Sequence, residues 1–137
     1  MRVLGIDFGD KKIGLAFGES EAKVAVPLEV IQNFGAETIK KIAEKIRLED
    51  YDQVVVGVPL STGSHHNSKQ LEKSRAFIEK LRVLVTIPVF EEDESYTTSE
   101  SIRLQREEGA AADEDAIAAM LILEQFFGRE GKGGKGD

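Results

Sequence analysis

The run Val3-Leu4-Gly5-Ile6-Asp7-Phe8-Gly9-Asp10-Lys11-Lys12-Ile13-Gly14-Leu15-Ala16 constrains this chain more than any other stretch. Apolar residues lead into an aspartate, glycine and charged residues turn the chain, and apolar residues resume. The pattern predicts a β-hairpin over residues 2–8 and 12–18, with Asp7 ending its first strand. A carboxylate at the tip of a buried strand sits on a rigid element. It is therefore well placed to hold a divalent cation or a metal-bound phosphate.

The remaining elements follow from periodicity. Residues 23–32 predict a third strand, with Pro27 marking an edge or a bulge. Ile39, Ile42 and Ile46 lie among Lys and Glu at helical spacing and predict an amphipathic helix over 36–48. Residues 54–58, Val-Val-Val-Gly-Val, predict a strand buried on both faces and parallel to its neighbour. A polar loop is expected at 61–68, then a second helix over 69–83 with Leu71, Ala76, Phe77 and Leu81 inward. A fifth strand is expected over 85–90. A third helix should run from Thr97 or Thr98 to about Glu107, and a last one from Asp115 or Ala116 to about Phe127. The order predicts an α/β domain over residues 1–128, built on a five-stranded mixed sheet with helices on both faces. A disordered Gly- and Lys-rich tail should occupy 129–137. Asp7, Val58-Pro59 and Phe90-Glu91 should then share one sheet edge, where open α/β sheets bind ligands.

Composition bounds the function. A chain of 137 residues, 41% hydrophobic, suits one domain with a real core. No apolar run approaches the roughly 18 residues that a membrane helix needs, and nothing near residue 1 resembles a signal peptide. The absence of cysteine excludes disulfides and thiolate metal sites. A cytoplasmic protein, a monomer or a homodimer, is the expectation. The net charge of −7 opposes phosphate binding unless metal neutralises carboxylates or charge is segregated by face.

Three acidic clusters should converge: Asp7, the run Glu91-Glu92-Asp93-Glu94 after the last strand, and Asp113-Glu114-Asp115 opening the last helix. Several carboxylates around ions about 4 Å apart are what two-metal phosphodiester hydrolysis requires. The residues that carry this chemistry also carry a resemblance. Gly5-Ile6-Asp7-Phe8-Gly9 with its continuation to Ala16, Val55-Val56-Gly57-Val58-Pro59-Leu60, Asp93-Glu94-Ser95-Tyr96-Thr97-Thr98 and Asp115-Ala116-Ile117-Ala118-Ala119 together resemble the YqgF family, over Val3 to Phe127. These are Holliday-junction-resolvase-like nucleases of RNase H-like fold, implicated in maturing pre-16S rRNA. The resemblance implies an RNase H-like fold and a nuclease using Mg²⁺ or Mn²⁺ on Asp7, Glu94 and Asp115. It also implies RNA (pre-16S rRNA) or branched DNA as substrate. Ser95 stands where the family carries Arg, and the residues before Asp115 are neutral to acidic where the family carries Lys.

Lys11 and Lys12 at the hairpin tip, and Lys69, Lys73 and Arg75 on the second helix, are the candidate nucleic-acid contacts, beside Lys80 and Arg82. His65 and His66 read as loop residues. Two other functions remain open at this point: a Holliday junction resolvase, and a catalytically silent nucleic-acid-binding module. Actin-like kinases open with a similar hairpin, but they need a second lobe for which 137 residues leave no room.

Overall fold

The two apolar runs around Asp7 pair as antiparallel strands, β1 (Arg2–Asp7) and β2 (Lys12–Glu19), in register from Arg2 opposite Glu19 to Asp7 opposite Gly14. The structure is a computed structural model and describes residues 1–60, 65–94 and 113–135. β3 (Val24–Gln32) pairs with β2 and forms one edge of the sheet. A register shift falls where Leu15 faces Glu29 and Ala16 faces Pro27, so Leu28 is the extra residue of a bulge beside the proline. β4 (Gln53–Val58) runs parallel to β1, and β5 (Val89–Asp93) parallel to β4. The sheet order is β3-β2-β1-β4-β5, mixed and five-stranded, as expected.

Alternation along the strands divides the core in two. Leu4, Ile6, Ile13, Leu15, Val54 and Val56 face α1 (Ala36–Leu48) and α2 (His65–Leu84). Val3, Ala16 and Val55 face α3 (Glu114–Lys135), which buries Ile117, Ile122, Leu123, Phe126 and Phe127 against them. Glycines on this second face let the helix lie directly on the sheet: a Cβ at Gly5 would meet Leu123, and one at Gly18 would meet Phe127. No helix among the described residues is long and apolar enough to cross a membrane.

Several boundaries differ from expectation. α2 begins at His65, so residues 65–68 are helical rather than loop. Its inward stripe is Leu71, Ser74, Phe77, Ile78 and Leu81, whereas Ala76 is exposed. β5 starts at Val89 rather than Val85, because the Val85 N–H still donates to Leu81 O at the end of α2 (3.1 Å). Pairing then begins at Pro88, which has no N–H to give but whose carbonyl accepts from Val54 N at 3.0 Å. α3 runs to Lys135, past the end expected near Phe127 and through most of the segment expected to be a disordered tail. Extending a formed helix adds one hydrogen bond per residue and needs no new nucleus, so the backbone carries on past its last packed turn. The helix expected from Thr97 to Glu107 lies outside the described residues.

Candidate active site

Asp7 closes β1 on the α3 face of the sheet. Its register neighbours are both glycines, Gly14 on β2 and Gly57 on β4. Neither fills the space beside it, and other parts of the chain do. A Cβ at Gly14 would collide with the carbonyl of Asp115, in the first turn of α3. A Cβ at Gly57 would collide with Ile122 and would stand 3.4 Å from the Cβ of Glu94. The bare position at Gly14 admits the backbone of Asp115 on one side of Asp7; the one at Gly57 is filled by Ile122, with Glu94 in ordinary contact beside it. α3 enters this position through Asp113, whose carbonyl accepts from Ala116 N (3.1 Å) and Ile117 N (3.0 Å).

The electrostatics follow from that crowding. Burial, and after it the charges of Glu94 and Asp115, push the Asp7 carboxyl from 3.8 up to about 8. Burial and then the Asp93 charge push the Glu94 carboxyl above its ordinary value. Lys12, the first residue of β2, brings its ammonium 3.9 Å from Asp115 Oδ2, with both groups well exposed. Among the described residues no three carboxylates or imidazoles stand in a geometry that already encloses a metal ion. The donor set nevertheless suits a hard cation. It is all oxygen, and its central carboxylate takes up a proton at neutral pH unless some positive charge reaches it.

The candidate nucleic-acid contacts divide. Lys11 and Lys12 sit exposed at the hairpin tip, on the same sheet edge as Asp7. Lys69 is exposed on α2. Lys73 is paired with Asp10 at 3.2 Å, and Arg75 grips Glu91 through Nε and Nη2 at 3.0 and 3.1 Å. Such exposed pairs contribute about 0–1 kcal/mol and exchange readily for a phosphate.

The sequence named Glu92 only as one member of the acidic run 91–94, and gave no sign of Gln125 and Arg129 as its partners. Glu92 is buried, and its carboxylate accepts from both the Gln125 amide and the Arg129 guanidinium. Strand alternation was the available signal: Glu92 and Glu94 share the α3 face, while Glu91 and Asp93 point away. Gln125 and Arg129, four apart, lie on one face of α3.

Comparison with known proteins bears on the same region. Residues 1–129 match the family model described as RuvX: Holliday junction resolvase. A protein of Polaromonas sp. strain JS666, named "Putative pre-16S rRNA nuclease", is 38% identical over 126 residues, covering 90% of this chain and 86% of its own length. A protein of the same name from Desulforudis audaxviator is 35% identical, covering 93% of this chain and 94% of its own. Among solved structures, Thermus thermophilus RuvC in complex with a Holliday junction substrate superposes with a TM-score of 0.67 at 16% identity, over 95% of this chain and 96% of that one. The fowlpox virus Holliday junction resolvase gives 0.57 at 13%, over 94% and 99%. At these identities the likeness speaks for the fold alone, which is the RNase H-like fold of the resolvases.

Proposed function

The chain belongs to the RuvX Holliday junction resolvase family, and from that premise we propose that it is a divalent-metal-dependent endonuclease that trims precursor 16S rRNA in the cytoplasm. The observation that carries the reading is the approach of Glu94 and Asp115 to Asp7 from its two sides, close enough that both charges raise the Asp7 carboxyl. The names of the relatives support RNA as the substrate.

Asp7, Glu94 and Asp115 would hold Mg²⁺ or Mn²⁺, which when bound activates water and stabilises the charge that develops on the phosphoryl oxygens. The chain's own groups do the rest. Asp7 is held by strand pairing on both sides, so its backbone offers the carboxylate from a fixed point. Glu94 and Asp115 supply the further negative charge that makes a cation favourable at this spot. Lys12 is positioned to take a phosphate beside the one being cleaved, and Lys11 extends that contact along the strand. Lys69, Lys73 and Arg75 offer a second stretch of backbone contact.

The test sets a precursor 16S rRNA fragment beside a four-way DNA junction, each with Mg²⁺, with Mn²⁺ or with EDTA, for the wild-type chain and Asp7→Asn. The reading expects metal-dependent RNA cleavage that Asp7→Asn reduces by at least a hundredfold while RNA binding persists. Cleavage of the junction alone makes the chain a resolvase. Binding without cleavage of either substrate makes it a silent module.

A further inference from the structure

Two residues of α3, one turn apart, reach across to the end of β5. Gln125 Nε2 donates to Glu92 Oε2 at 2.5 Å, and Arg129 Nε donates to the same oxygen at 3.4 Å. Arg129 Nη2 donates to Glu92 Oε1 at still shorter range. Glu92 is 2% exposed, while the Arg129 side chain is 63% exposed. The carboxylate is thus sunk beneath the helix and the guanidinium covers it from the solvent side. Gln125 Nε2 makes a second bond, to the backbone carbonyl of Asp93 at 2.8 Å. That carbonyl belongs to the peptide that leads into Glu94.

A buried carboxylate is a poor way to gain stability even with a partner, since an apolar residue of similar volume serves as well or better. What it does supply is geometry. α3 carries Asp115 in its first turn and Gln125 ten residues later, about 15 Å along one stiff helix. Asp115 packs over Gly14, on one side of Asp7, and Gln125 fixes the chain entering Glu94, on the other. Two acids that are distant in sequence are thereby mounted on one rigid body.

We infer that Glu92, Gln125 and Arg129 form a positioning tie, which locks the end of β5 to α3 and so sets Glu94 at its distance from Asp7 and Asp115. The inference rests on the metal-site reading above. None of the three residues touches the reacting atoms; they act through Glu94.

Gln125→Met keeps side-chain length and removes both donated bonds. The double variant Glu92→Met with Gln125→Met also removes the buried charge, so that one of the two folds even if the single change leaves Glu92 under-satisfied. Mn²⁺ binding by calorimetry and steady-state cleavage of precursor 16S rRNA are read side by side, well below each variant's Tm. A positioning tie weakens Mn²⁺ binding and lowers kcat by about tenfold or more, as loss of the groups that orient metal ligands does. KM should stay within about twofold, because the phosphate contacts are untouched. A lower Tm with unchanged Mn²⁺ affinity and unchanged kcat makes the tie purely structural and overturns the inference alone. A wild-type chain that binds no Mn²⁺, or that binds it equally well after Asp7→Asn, overturns the metal reading and this inference with it.

Discussion

At the scale of single residues, Asp7 carries the strain of the site. A raised carboxyl pKa means that folding takes up a proton, so the charged form weakens the metal-free protein. The contribution of Asp7 is neutral below its ordinary value of 3.8 and grows unfavourable as pH rises towards about 8. Asp7→Asn should therefore stabilise the fold at pH 8 in EDTA, by on the order of 2 kcal/mol once solvent reaching the group is allowed for, and raise Tm with it. At pH 4 the two proteins should melt together. Added Mg²⁺ should reverse the order, stabilising the wild type and leaving the Asn variant unmoved. Differential scanning calorimetry over that pH range checks all three; a wild type that melts later than Asp7→Asn in EDTA at pH 8 would refute the account. The neighbours are equally exacting. Gly14→Ala must push Asp115 away, which should cost about 1–3 kcal/mol and abolish the Mg²⁺-induced rise in Tm. That Asp7 ends a strand and Asp115 lies in the first turn of the last helix was legible in sequence, from the apolar pattern on either side. The roles of Gly14, Gly57 and Glu92 were not, because they depend on which residues lie opposite one another across strands far apart in the chain.

At the scale of elements, α3 both builds half of the core and carries Asp115 of the candidate site. Leu123→Ala would open a void over Gly5 and Gly18 and should cost about 2–5 kcal/mol, measured by urea denaturation. The last turns differ. The packed residues of α3 end at Phe127, and its last described tie to the sheet is Arg129. Glycines at 131, 133 and 134 each cost about 1 kcal/mol in a helix interior. Removing residues 130–137 should therefore leave Tm within about 2 °C of the full chain, whereas removing 125–137 should unfold it. A large loss from the shorter deletion would show that the final turns have a docking surface of their own. Strong periodicity made α1 readable to the residue, with Ile39, Ile42 and Ile46 inward as their spacing requires. β5 was misplaced because Val85 and Ile87 look like strand residues, while a helix hydrogen bond and a proline decide otherwise. Local propensity lost there to the length of the preceding helix.

At the scale of the whole molecule, the order of elements was enough to foretell the mixed sheet, since right-handed crossovers leave few other arrangements for these strands. Charge was harder to read. A net charge of −7 says nothing of where the charges lie, and only the folded chain shows Lys12 beside Asp115, with Lys11 exposed next to it in the hairpin turn. If both touch phosphate, Lys11→Ala and Lys12→Ala should each lower the slope of log K against log salt by about 1 in RNA-binding titrations. Slopes equal to that of wild type would make the two lysines bystanders. The far edge of the sheet has a different significance. β3 turns Val24, Val26 and Leu28 outward, 49%, 43% and 42% exposed, along a strand that has no neighbour on its outer side among the described residues. A flat strand of that composition is a template for fibrils and clumps. Pro27 breaks the row of donors, and the bulge beside it twists the edge out of line. Pro27→Thr should fold normally and yet scatter light at concentrations where the parent chain stays clear, so the chain's colloidal behaviour hangs on one ring that gives up an N–H.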